Sequence, residues 1–128
     1  AGVIRTLRAN RDLIAARAGR RVEVVAVCAR DRARDRGVSL DGVAWEDDPV
    51  ALARRADVDA FVELMGGHEG PARLATEAAL GAGKDVVSAN KALLAHHGQA
   101  LAALAEGRGC VLRFEAAVAG GIPVVKAL

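Results

Sequence analysis

Short, nearly unbroken apolar runs alternate along this chain with longer stretches in which apolar and polar residues recur at helical spacing. Residues 3–17, VIRTLRANRDLIAAR, set Val3, Leu7 and Ile14 at roughly helical intervals. The spacing predicts a helix that starts at or before residue 1 and stops at Gly19. Residues 22–29, VEVVAVCA, are short, β-branched and almost wholly apolar, which predicts a strand, and the charged sequel RDRARDRG predicts a loop. Pro49 opens a short helix, PVALARRA, with Asp47 or Asp48 as its cap. VDAFVELM, residues 58–65, is the second predicted strand, and GGHEG turns the chain. Pro71 starts a helix to about Ala82, closed by Gly83. DVVSA is a third strand. NKALLAHHGQALAALAEGRG is helical, in two expected pieces broken near Gly98. CVLRFEA, residues 110–116, is a fourth strand, AVAGGIP a glycine-rich turn, and Pro123 starts another helix.

Strands and helices in strict alternation predict an α/β fold: a doubly wound parallel sheet with helices on its faces, Rossmann-like in order. Such a sheet normally begins with a strand and a glycine-rich turn, whereas this chain begins in the helix. In the strand order 3-2-1-4-5-6 the first strand is central, so its absence would part the second strand from the fourth. The chain is therefore expected to be part of a longer protein, its domain incomplete at the N-terminus.

Composition narrows the picture. With 128 residues the chain has the size of one domain, and with no Tyr, one Trp and two Phe its core must be aliphatic. A net charge of +2, with no aromatics among the basic residues, gives no footprint for nucleic acid. The run ARDRARDRG alternates Arg with Asp and reads as a self-neutralising, solvated loop. Cys28 and Cys110 lie in apolar runs and read as small hydrophobes rather than a disulfide or metal pair. No signal peptide or membrane-length apolar stretch is visible, so a cytoplasmic protein without a membrane partner is expected.

Ligands of open parallel sheets bind beyond the carboxyl ends of the strands, so chemistry is sought there. The first strand ends in CARD. Arg30 stands where an arginine would accept the 2′-phosphate of NADP, or it is one more solvated charge. The second ends in ELMGGHEGP, whose glycines let a ligand approach the backbone; Glu63 reads as a capping or core-edge carboxylate, and His68 receives no role. The third ends in SANK. A lysine at a helix N-terminus opposes the positive end of the helix dipole, so Lys91 implies a negative or polar partner, unless its head simply lies in water. His96 and His97, adjacent on a helix, make a poor metal pair and read as surface. The fourth strand ends in FEAAVAGGIP, where small residues would let carbonyls converge on a hard cation such as Na⁺, Mg²⁺ or Ca²⁺, or form a hinge between domains.

VDAFVELMGGHEGPA, AGKDVVSANKALLA and FEAAVAGGIPVVKAL together resemble homoserine dehydrogenase of the bacterial type, in order and spacing from the first helix to the last residue. The SANKALLA and FEAAVAGGIP stretches carry most of that resemblance. It implies NAD(P)-linked interconversion of L-homoserine and L-aspartate 4-semialdehyde, on the way to threonine and methionine. Residue by residue, it implies that Lys91 lies near the nicotinamide and the substrate and that Arg30 lies near the adenosine phosphate. It further implies that Met65 and Gly66 line the cofactor, and that the backbone oxygens of Glu115, Val118, Gly120 and Ile122 hold a sodium ion. GGHEGPA is one residue longer than the commoner GGIEPA of the family, which bears on the contacts of that loop.

The same likeness implies a partial nucleotide-binding domain over residues 1–114 and a crossover toward a catalytic domain over residues 115–128. The small-molecule substrate would be met by residues beyond Leu128, and a homo-oligomer is expected for the full-length protein. The 128 residues alone are expected to be inactive. A glucose-fructose type oxidoreductase is disfavoured because its Glu-Lys-Pro signature is replaced here by Asn90-Lys91-Ala92. A non-catalytic nucleotide-sensing domain is disfavoured by the joint presence of Lys91 and the FEAAVAGGIP loop.

Overall fold

The structure is a computed structural model that describes residues 1–117. The helix predicted from Pro123, and all of the glycine-rich turn before it except Ala117, lie outside the described residues. The chain divides into two units, Ala1–Asp47 and the remainder from Asp48.

In the first unit, α1 (Gly2–Ala9) and α2 (Arg11–Ala18) replace the single expected helix. Asn10 breaks it. The Asn10 side chain donates to the Thr6 carbonyl at 2.9 Å while its own φ/ψ of −114°/23° leaves the helical region. A short amide that bonds the backbone locally competes with the helical ladder, and periodicity of apolar residues does not register that competition. Gly19, at φ 70°, closes α2 as expected. β1 (Ala26–Cys28) is shorter than the predicted strand and pairs in parallel with β2 (Ala44–Glu46), from Ala26↔Ala44 to Cys28↔Glu46. The sequence pattern missed β2: three residues are too few to show an alternation. The ladder of β1 reaches only as far as this short partner does.

In the second unit, α3 (Pro49–Arg54) is capped by Asp48, whose carboxylate accepts from the Val50 and Ala51 amides. Next come β3 (Ala60–Glu63), α4 (Pro71–Gly81), β4 (Asp85–Ser88), α5 (Lys91–Arg108) and β5 (Leu112–Arg113), then a 3₁₀ turn at Glu115–Ala117. The three strands form one parallel sheet in the order β3-β4-β5, with Glu63 opposite Ser88 and Val87 opposite Arg113. Parallel neighbours joined through a helix are the arrangement that the alternating pattern predicts.

The core follows from residue size. On β3 and β4 burial alternates, so that Phe61, Glu63, Val86 and Ser88 face inward. α4 packs against α3, α5, β3 and β4, through Ala72, Ala75, Ala79 and Leu80, all buried. Alanine at three of these positions lets the helix approach closely, and complete burial of Leu80 contributes about 1.5–3 kcal/mol. α5 runs unbroken through Gly98, contrary to the expected division. A helical glycine costs roughly 1 kcal/mol against alanine, and the buried Leu93, Leu101 and Ala105 along the same helix outweigh it.

Both long helices end alike. After α4 the Lys84 amide bonds Ala79 O and the Gly83 amide bonds Leu80 O; after α5 the Cys110 amide bonds Ala105 O and the Gly109 amide bonds Glu106 O. This is the Schellman arrangement, which places Gly83 and Gly109 at φ 72° and 67°, where a side chain would be strained. It returns the chain into β4 and β5. The Val111 amide then donates to the Asp85 carboxylate at 2.8 Å and the Val86 amide to Val111 O at 2.8 Å, which sets β5 beside β4.

Candidate functional site at the carboxyl edge of the sheet

Parallel register brings the ends of β3, β4 and β5 to one edge of the three-stranded sheet. Met65 and Gly66 follow β3, Lys91 follows β4 and Glu115 follows β5. Three of the strand-end candidates thus share one edge because the strands are parallel.

A buried polar network joins the first two of these ends. Glu63 is fully buried, a costly place for a carboxylate unless its oxygens are bonded. Ser88 Oγ donates to Glu63 Oε2 at 2.6 Å, and the Met65 amide donates to Glu63 Oε1 at 2.6 Å. The Asn90 amide in turn donates to Ser88 Oγ at 3.1 Å. Asn90 Oδ1 accepts from the Leu93 amide at 3.1 Å, capping α5, while Asn90 Nδ2 donates to Gly67 O at 2.7 Å. One side chain therefore starts the helix that carries Lys91 and holds the glycine loop after β3. No buried side-chain polar atom among the described residues lacks a partner.

Lys91 is the first residue of α5 and is exposed, with no hydrogen bond or ion pair among the described residues. Met65 is half-buried, and Gly66 has open space where a Cβ would stand. Gly67 lies at φ 87°, a conformation that glycine adopts freely and that turns its carbonyl to Asn90. Glu115 is exposed in the 3₁₀ turn, 4.0 Å from Arg113. Val118, Gly120 and Ile122 lie outside the described residues.

Arg30 belongs to the first unit. It stands two residues beyond β1, exposed and without a partner among the described residues. The loop after it is shaped by its aspartates in a way the charge pattern did not indicate. Asp31 accepts from the Ala33 and Arg34 amides and Asp35 from the Gly37 amide, while the guanidinium groups of Arg32 and Arg36 lie 5.8 and 5.6 Å from the Trp45 ring centre.

Sequence reasoning gave no role to Ser88, Asn90 or the histidines. For Asn90 a signal existed: a small polar residue directly before an apolar helix is the mark of an N-cap. For the histidines there was none, since only folding sets His68 against His96, with ring centres 4.1 Å apart, and His97 against Glu69 at 2.8 Å. Arg73 also bonds Glu69, and it is chiefly this guanidinium, then His97, that holds the Glu69 carboxyl below the ordinary carboxylate range. Among the described residues no group of three His, Cys, Asp or Glu is placed to hold a metal ion, and no helix is long and apolar enough to cross a membrane. Cys28 and Cys110 are both half-buried, and Cys110 Sγ lies 3.7 Å from Leu80 O and 3.6 Å from Ala105 O.

A sequence profile described as homoserine dehydrogenase, NAD binding domain, matches residues 1–115. The chain belongs to the homoserine dehydrogenase family. It is 42% identical over 127 residues to the homoserine dehydrogenase of Neisseria gonorrhoeae and 47% identical over 126 residues to that of Corynebacterium glutamicum. These alignments cover 99% and 96% of this chain but only 29% and 27% of the relatives' length. Among solved structures, the homoserine dehydrogenase of Thiobacillus denitrificans matches with a TM-score of 0.88 and 40% identity, over 98% of this chain and 29% of that one. The Staphylococcus aureus homoserine dehydrogenase at pH 8.5 matches with a TM-score of 0.81 and 32% identity, over 91% of this chain and 29% of that one. The fold is accordingly the Rossmann-like NAD-binding domain of homoserine dehydrogenases.

Proposed function

We propose that the intact protein carrying this domain interconverts L-homoserine and L-aspartate 4-semialdehyde with NAD or NADP. The observation that carries the reading is Lys91: an exposed lysine, unpaired among the described residues, at the carboxyl edge of a parallel sheet in a chain of this family. Its position opposes the helix dipole, so a bound carbonyl or carboxylate would supply the partner that the described residues do not.

In the second unit, Gly66 offers open backbone after β3, a place a nucleotide could approach. In the first unit, Arg30 carries an exposed guanidinium after β1 with no partner among the described residues. The bound nucleotide supplies or accepts a hydride at C4 of its nicotinamide. Met65 and Gly66 would line that ring, and Arg30 would favour NADP through a charge-assisted bond to the 2′-phosphate. During reduction the semialdehyde oxygen gains negative charge, and the Lys91 ammonium would lie beside it to stabilise that charge and orient the carbonyl. Backbone oxygens of Glu115, Val118, Gly120 and Ile122, the last three outside the described residues, would hold a sodium ion beside the site, as oxygen ligands suit a hard cation.

The test is L-homoserine-dependent reduction of NADP or NAD by the intact protein, followed by the absorbance of the reduced nicotinamide. Turnover specific for the L enantiomer is expected. Binding of either nucleotide with no homoserine-dependent reduction would overturn the catalytic reading.

A further inference from the structure

The loop Gly66–Gly70, which follows β3, touches α5 at two places beyond the Asn90 bond. The His68 ring stacks on His96 at 4.1 Å with 18° between the planes, and Glu69 Oε1 lies 2.8 Å from His97 Nε2. The three rings are close to one another: His97 is 6.4 Å from His68 and 6.2 Å from His96. We propose that these contacts form a proton-sensitive clamp, which holds the loop on α5 and thereby positions Met65 and Gly66 for the nicotinamide nucleotide. The proposal rests on the nucleotide reading above and adds regulation to it.

The two halves of the clamp respond to protons in opposite directions. A proton on His97 strengthens its bond to the Glu69 carboxylate. Protons on His68 and His96 set two like charges in one stack, where neutral rings attract by offset stacking and charged rings repel. Histidine is the side chain that ordinarily changes charge between about pH 5 and 8. The other charged groups facing the cluster do not offset this. Glu69 and Glu77 both bond Arg73 on α4. Glu69 has its carboxyl held below the ordinary range, chiefly by Arg73. A depressed carboxylate keeps its charge until the pH falls through that lowered value. The expected direction is a closed loop at neutral pH and above, and a loosened one as the pH falls.

His68, His96 and His97 are positioning residues here, and the test reads the pH profile of nucleotide affinity in the intact protein. NADPH dissociation constants are measured at about pH 8 and about pH 5.5 for wild type, H96Q, H68Q and H97Q. Wild type should lose about threefold more affinity on acidification than H96Q or H68Q, the scale that exposed charge interactions support. Comparison with the variants cancels the ionisation of the nucleotide's own phosphate. H97Q leaves the stack in place but removes the bond that a proton strengthens, so on acidification it should lose at least as much affinity as the wild type. Superimposable profiles for wild type, H68Q and H96Q overturn the clamp, as does an H97Q profile as flat as that of H96Q. Failure of the wild type to bind NADPH at pH 8 overturns the nucleotide reading itself, and the clamp with it.

Discussion

A lysine at the first position of a helix is an electrostatic misfit unless something answers it, and Lys91 has no such partner among the described residues. If its role is at the reacting carbonyl, Lys91→Ala in the intact protein should lower kcat/KM for L-homoserine by about 100-fold, or about 2.7 kcal/mol of transition-state stabilisation. The melting temperature should hardly move, since exposed substitutions stay within about 0.5 kcal/mol. Wild-type kinetics in that variant would return Lys91 to the surface. Arg30 poses a separate question, because its guanidinium is exposed and free of any described partner. Arg30→Ala should weaken NADP by about 1.5–3 kcal/mol and leave NAD nearly untouched. Equal losses for both nucleotides, measured by titration, would mean that no 2′-phosphate is bound there. Both residues were visible in the sequence as charges after predicted strands. Their freedom from neighbours was not, because pairing is decided by side chains distant in the chain.

At the scale of elements, the junction between β4 and α5 depends on Asn90, which caps the helix and bonds Gly67. Asn90→Ala removes both bonds and should cost about 1–2 kcal/mol, read as a lowered thermal or denaturant midpoint. Asn90→Asp keeps an acceptor for the Leu93 amide but gives up the donor to Gly67. It should therefore recover most of the stability while nucleotide affinity remains weakened. If Asp restores both properties equally, the Gly67 bond plays no part in shaping the loop. Ser88→Ala tests the neighbouring bond: it strips the buried Glu63 of a partner at 2.6 Å and should cost about 1–3 kcal/mol. A midpoint unchanged from wild type would show that Glu63 finds another donor. The strands and helices of this region were legible because each follows one strong local signal. Pro49 and Pro71 open helices, Gly83 and Gly109 close them, and the runs between are β-branched or apolar. The breaks were not: Asn10 divides a helix by a side-chain bond to Thr6, while Gly98 fails to divide one whose flanks are buried.

For the whole molecule, the chain spans 27–29% of the length of the curated homoserine dehydrogenases it matches. The 128 residues alone should show no homoserine-dependent reduction of either nucleotide, and measurable turnover by them would refute the assignment of substrate contacts to residues beyond Leu128. Among the described residues β1 pairs with β2, and β3, β4 and β5 form a three-stranded sheet. By itself the sequence determined the α/β alternation, the parallel sense of the strands and the family, because all three are written in local patterns: apolar period, helix-opening prolines, helix-closing glycines and two motifs at strand ends. Only the tertiary structure decided that Glu63 would be buried and bonded to Ser88, that Asn90 would reach Gly67, and that His68 would stack on His96. These contacts join residues 23 to 28 positions apart. A hydrogen bond or ring contact over such a separation needs the register of two strands and the pitch of a helix to be set first. No local pattern of residues encodes that geometry.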